Sequence, residues 1–208
     1  PLDNFERMGI LNDRVIAAHV TQITDEQIAL FAERGVSVSH CPTSNMKLVA
    51  GFAPVSKMLN AGVNVSIGTD SNCSNNSLDM MNELKLAAIL GKALVHEATH
   101  LPAFQALQMA TINGAKALGL EADLGTLKVG KSADFIAVNL NEIETQPMLS
   151  VLSHLVYAAS REHVTDLWVD GKQLMSNRAL TTLNEGEIIK KCKNWSKKLL
   201  EFRDSNKS

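Results

Sequence analysis

Val63-Asn64-Val65-Ser66-Ile67-Gly68-Thr69-Asp70 is a short β-branched run that stops on a Gly-Thr-Asp step. Two earlier runs also end on a titratable side chain, Val15-Ile16-Ala17-Ala18-His19 and Val36-Ser37-Val38-Ser39-His40. A β-branched run followed by a helical pattern is the signature of a parallel βα unit. Between the runs, Thr24-Asp25-Glu26-Gln27 reads as a capping box opening a helix whose buried stripe is Ile28, Phe31 and Ala32, ended by Gly35. Pro54 starts a second helix with the stripe Val55, Met58 and Leu59, closed by Gly62. Strand, helix, strand, helix, strand with tight connections is α/β architecture. In a (β/α)₈ barrel the C-terminal strand ends share one face, and chemistry sits there. His19, His40 and Asp70, delivered to such a rim, look like parts of a metal or acid–base site.

Working outward, a helical pattern spans Leu78 to Val95 and another spans Pro102 to Leu118. Beyond Gly119 the character changes. Leu124-Gly125-Thr126-Leu127-Lys128-Val129-Gly130 reads as β-like, Asp134 to Val138 as a strand, and Leu167 to Leu174 as a hairpin turning at Asp170-Gly171. From Glu187 a helix carries Ile188, Cys192, Trp195, Leu199 and Phe202 on one face, with its lysines on the solvated face. Three segments follow: 1–118 α/β, 119–182 β-rich, and 183–208 a C-terminal helix. A complete barrel takes roughly 250 residues, and 118 suffice for three or four βα units. The first segment is either a smaller open sheet or the later part of a barrel.

The chain has 208 residues, 45% hydrophobic and 20% charged, with a formal net charge of −2. That balance gives no field for nucleic acid or an anionic membrane, and no apolar stretch approaches the ~20 residues that span a bilayer. No signal-peptide pattern opens the sequence. Cys41, Cys73 and Cys192 are odd in number and widely spaced, which fits a reducing cytoplasm better than a disulfide framework.

Three motifs carry a resemblance. They are Ala17-Ala18-His19-Val20-Thr21, Val38-Ser39-His40-Cys41-Pro42-Thr43-Ser44-Asn45-Met46-Lys47-Leu48, and Ile67-Gly68-Thr69-Asp70 with the loop Ser71 to Met80. Together with Ala110-Thr111-Ile112-Asn113-Gly114-Ala115 and Gly130-Lys131-Ser132-Ala133-Asp134, they resemble the amidohydrolase superfamily. The resemblance is to its aminohydrolase and chlorohydrolase branch, nearest to the 5-methylthioadenosine/S-adenosylhomocysteine deaminases. It implies a (β/α)₈ metal-dependent hydrolase barrel, a small composite β (sandwich) domain and a mononuclear divalent metal, usually zinc. Family ligands are a His-x-His pair, a further histidine, and an aspartate ending the eighth strand, which maps onto Asp70. His19 matches the histidine ending the sixth strand, a catalytic group beside the metal-bound water or substrate. His40 falls at the end of the seventh, where a substrate contact is implied. Asp70 is thereby both metal ligand and proton acceptor.

None of the six histidines forms a His-x-His, and the family's His-x-x-Glu is also missing. The sequence starts where the segment after the fifth strand is expected, so the resemblance reads it as a C-terminal half. One carboxylate cannot hold zinc, which wants three or four ligands, and the chain alone is expected to be inactive. The implied parent reaction is deamination of an amino-purine nucleoside. Related triazine, guanine or pyrimidine aminohydrolases and chlorohydrolases are the alternative. A third reading is a non-catalytic module that pairs with a separate chain carrying the missing N-terminal half. Expected partners are a small-molecule substrate and that half, with a homo-oligomer implied by resemblance.

His96-Glu97-Ala98-Thr99-His100 fits the zincin pattern H-E-x-x-H, two histidines one helical turn apart around a water-activating glutamate. Pro102 leaves the helix little room to continue. The reading preferred here is a helix end running into a loop.

Overall fold

The computed structural model describes residues 2–206. In chain order the elements are α1 (Leu2–Arg7), β1 (Ile16–Ala18), α2 (Asp25–Arg34), β2 (Ser37–His40), α3 (Pro42–Lys47), α4 (Val55–Asn60), β3 (Asn64–Ile67), α5 (Asn72–Asn75) and α6 (Met80–Ala93). Then come α7 (Ala103–Met109), α8 (Ile112–Ala117), β4 (Phe135–Val138), α9 (Val151–Tyr157), β5 (Val164–Val169), β6 (Lys172–Ser176), β7 (Ala179–Leu180) and α10 (Glu185–Ser205).

β1, β2 and β3 form a parallel sheet in that order, with Ala17 opposite Val38 and Val38 opposite Val65. Side chains alternate across a strand, so Val38, Val65 and Ile67 share a face, and all three lie in the main core with Phe31, Met58, Leu84 and Met109. The other face is small and polar. There Ser66 Oγ donates to the Val38 carbonyl at 3.0 Å, and Asn64 Nδ2 donates to Ser37 Oγ at 3.0 Å. The helix α2 begins as its sequence dictates: Thr24 accepts from the Gln27 amide, Gln27 answers with its own side chain, and Gly35 closes the end in the left-handed region at φ 71°. Ile28 and Phe31 are its buried stripe.

Two expectations are corrected. The helix expected over 102–118 is two helices, because Thr111 takes a non-helical conformation (φ −131°, ψ −95°). The break turns Asn113 onto the sheet, where its Nδ2 donates to the Val65 carbonyl at 2.9 Å and its carbonyl accepts from Asn64 Nδ2 at 3.0 Å. Two sheet bonds replace the helical continuity that residue pattern alone implies. The stretch 124–130 is a loop rather than β: Gly125 and Gly130 lie at φ 84° and 92°, and Lys131 Nζ clamps the Glu121 and Leu124 carbonyls.

Further along, β4-β5-β6-β7 is an antiparallel sheet, and Phe135 stacks on Trp168 with ring centroids 4.6 Å apart. Its β5–β6 turn is the Asp170-Gly171 pair, both at positive φ (49° and 73°), the twist a two-residue hairpin needs. Within 119–182 the sequence reading lacked α9, which returns to pack on α6 and α7 and buries Val156 in the main core. α10 begins two residues before the expected Glu187, capped by Asn184, and its apolar stripe, Trp195, Leu199 and Phe202, is exposed. Among the described residues no helix is long and apolar enough to cross a membrane.

Candidate active site

The residue after β1 is His19, and Asp70 follows β3 by three positions. Both backbones are left-handed (φ 68° and 59°), as is Val20 at φ 47°. That conformation is strained for a β-branched residue, and such strain gathers at functional sites. It is held in place: the His19 amide donates to the Ser39 carbonyl at 3.0 Å, and the Val20 amide to Ala18 at 2.8 Å. The turn brings His19 Nε2 to 3.8 Å from Asp70 Oδ2. Gly68 of the Gly-Thr-Asp step has its own reason, since a Cβ there would lie 2.6 Å from Ser39 Oγ and 3.4 Å from Cys41 Sγ.

Asp70 is set in donors. Ser44 Oγ and Ser74 Oγ donate to Oδ2 at 2.6 and 2.5 Å, and the Ser71 amide donates to Oδ1 at 2.6 Å. The Ser44 and Ser74 hydroxyls, then the Ser71 amide, lower its pKa to about 2; burial opposes them, and the neighbouring His19 adds the least. Asp70 is therefore an anion at any working pH.

His19 Nδ1 lies 2.9 Å from Asn45 Oδ1. An oxygen there accepts, so the imidazole carries a proton on Nδ1, and Nε2 is the ring nitrogen that faces Asp70. Asn45 itself is buried, and its Nδ2 has no partner. We expect Asn45→Leu, which frees the imidazole to change tautomer, to slow any turnover at this centre about 10–100-fold, the usual cost of losing a histidine's orienting partner. Steady-state kinetics check it, and an unchanged rate removes Asn45 from that role.

His40 is placed differently. Strand parity sets it on the face of Val38 and Ile67, and it is buried at 4% exposure with Nδ1 unpartnered. It borders a cavity of about 250 Å³ that also meets Phe52, Val55 and Leu94. Burial first, and the His19 charge second, lower its pKa to about 4, so it is neutral at pH 7. The structure joins His19 to Asp70 and leaves His40 behind them in the helical layer. Cys41 is buried with its thiol pKa raised mainly by desolvation, and Cys73 is exposed. His96 to His100 lie in turns beyond α6, not on a helix, so the H-E-x-x-H spacing places no pair of histidines on one helical face.

Ser44, Asn45, Ser74 and Glu83 are not among the candidates that the sequence singles out. The signal for Glu83 was present: a carboxylate in the buried stripe of α6 that runs through Leu84, Ala87, Ala88 and Gly91.

Asp70 and His19 are an oxygen and a nitrogen donor of the kind zinc accepts. Among the described residues, however, no group of three or more His, Cys, Asp or Glu side chains could hold a metal ion. The described residues do not by themselves make a metal site.

The amidohydrolase family profile matches residues 1–174. A 5-methylthioadenosine/S-adenosylhomocysteine deaminase of Teredinibacter turnerae is 46% identical over 199 residues, 96% of this chain and 45% of that protein. A 5'-deoxyadenosine deaminase of Methanosarcina acetivorans is 46% identical over 195 residues, 94% of this chain and 45% of that one. The crystal structure of an adenosine deaminase from Xanthomonas campestris with bound zinc superposes with a TM-score of 0.95 at 46% identity, covering 97% of this chain and 46% of that one. The chain thus spans about half the length of the relatives it matches. With a parallel α/β sheet, strand-end His19 and Asp70, and a profile match over most of its length, the chain belongs to the amidohydrolase family.

Proposed function

We propose that the protein hydrolytically deaminates an adenosine-type nucleoside of the 5-methylthioadenosine or S-adenosylhomocysteine kind. The centre is one to which this chain supplies His19 and Asp70. In this reading residues 1–118 are the late part of a (β/α)₈ barrel, 119–182 contribute to a composite β domain and 183–208 form the C-terminal helix. The observation that carries it is His19 Nε2 facing Asp70 Oδ2 across 3.8 Å at the ends of two parallel strands. The names of the relatives support the substrate class. β1 and β3 each pair on one side only among the described residues, and open edges need partners. The other strands of a barrel fit that need. Asp70 is then one ligand of a divalent metal, zinc, whose remaining ligands lie outside this chain.

Deamination adds water to the ring carbon that bears the amino group and expels ammonia, leaving a carbonyl. A proton must leave the water and another must reach the departing nitrogen. His19, held with its proton on Nδ1, offers a free Nε2 that can take one proton and return it. The ionised Asp70 stabilises the imidazolium during that transfer.

The test is ammonia release by the natural polypeptide that carries these 208 residues, assayed on methylthioadenosine, S-adenosylhomocysteine, adenosine, guanine and a triazine. Turnover of the adenosine-type nucleosides, lost on chelation and restored by zinc, is expected. Preference for guanine or the triazine overturns the substrate class. We further expect the 208-residue chain alone to release no ammonia; turnover by it would show a complete centre within these residues.

A further inference from the structure

Glu83 is 1% exposed on α6, whose other buried residues are Leu84, Ala87, Ala88 and Gly91, and burial of a carboxylate is expensive unless it is hydrogen-bonded. Its partners are two N–H donors that belong to two separate short helices. Oε2 accepts from the Thr43 amide at 3.1 Å, in the first turn of α3. Oε1 accepts from Asn75 Nδ2 at 2.8 Å, in α5. Each short helix then leads to Asp70 in one step. Next to Thr43, Ser44 donates to Asp70 Oδ2. Asn75, also buried, sends Nδ2 to the Thr69 carbonyl at 2.6 Å, in the peptide that joins Thr69 to Asp70. Its neighbour Ser74 supplies the second hydroxyl.

We infer that Glu83 is a positioning residue for the reaction centre: through Thr43 and Asn75 it holds both hydroxyl-bearing short helices and the left-handed backbone of Asp70 in one arrangement. A carboxylate suits this role because it offers two acceptor oxygens and both groups facing it are donors. An amide there has one acceptor oxygen, and its NH₂ would oppose either the Thr43 amide or Asn75 Nδ2. A hydrocarbon of equal size would satisfy the core and release both short helices.

The role in catalysis rests on the proposed deamination, whereas the positioning itself does not. The experiment uses the natural polypeptide carrying these residues, with Glu83→Gln, Asn75→Ala and the double variant. Expected for both single variants is a fall of about 10–100-fold in kcat per folded, metal-loaded protein, with KM changed by less than about threefold. The double variant should lose less than the product of the two single losses, because both cut the Glu83–Asn75 link. In parallel, amide exchange at Ser71, whose N–H rests on Asp70 Oδ1 rather than on Glu83, should quicken at least about tenfold in Glu83→Gln. Should Glu83→Gln not fold, Asn75→Ala carries the same two readouts. Single-variant kcat values within about twofold of the parent, losses that multiply, or Ser71 exchange unchanged each overturn the inference. If the parent deaminates no nucleoside, the proposed function fails and the Ser71 exchange still decides whether Glu83 positions Asp70.

Discussion

Asp70→Ala, made in the natural polypeptide, is expected to lower ammonia release by at least about 10²–10⁴-fold, the range that a positioned acid–base group supplies. The same change should reduce the metal that stays with the protein through dialysis. The size follows from how completely the surroundings are committed to this one side chain. Two hydroxyls and an amide donate to it, and the imidazole of His19 faces it. Alanine removes the acceptor and leaves Ser44 Oγ, Ser74 Oγ and the Ser71 N–H without it, so both the charge and the order it imposes are lost. Asp70→Asn keeps the shape yet presents an NH₂ to groups that are themselves donors, and it should be almost as damaging. Ammonia assays and elemental analysis check both variants. Kinetics and metal content equal to the parent would eliminate Asp70 from the centre.

Much of what positions this site was legible in the residues, where local chemistry decides the structure. Thr24 and Gln27 cap each other whatever lies around them, Gly35 takes a left-handed angle that side-chain-bearing residues avoid, and Asp170-Gly171 makes the hairpin its φ values require. Ile28, Phe31 and Met58 fall on buried faces because helical spacing puts them there. Asp70 and His19 were legible as strand-end residues, and they meet because the left-handed turns after β1 and β3 carry both past the end of β2, which lies between those strands.

What stayed illegible depends on partners far away in the chain. The break before α8 comes from Asn113 finding the Val65 carbonyl 48 residues earlier, a bond no local pattern encodes. The strand-like valine and leucines of 124–130 lost to two glycines and to Lys131 clamping carbonyls. Ser44 and Ser74 carry no mark of their role until the fold brings both hydroxyls to one carboxylate, and Glu83 looks like a helix residue until it meets Thr43 and Asn75. The apolar stripe of α10 was read correctly as a stripe, and it is exposed among the described residues. Amphipathicity shows that a face wants covering, not what covers it.

His40 yields the second large effect, on stability and in a definite direction of pH. Its folded pKa is about 4 against an ordinary 6.5, burial being the first cause and the His19 charge the second. A histidine lowered in this way binds its proton in the unfolded chain before it does so in the folded one. Stability is therefore full above pH 6.5 and falls as the pH drops from 6.5 toward 4. At 1.36 kcal/mol for each pH unit of that gap, the loss is about 3 kcal/mol once the pH reaches 4, a large part of the 5–15 kcal/mol that holds a typical domain. Asp70 cannot account for it, because a carboxylate lowered from 3.8 to about 2 gives up its contribution only below that window. Denaturant unfolding of the parent and of His40→Asn at pH 7 and pH 4.5 separates His40 from all other titrating groups. The parent should lose about 2–3 kcal/mol more than the variant between the two pH values. Equal losses would mean that His40 is hydrated or charged in the folded protein, and that its neutral burial beside the cavity is wrong.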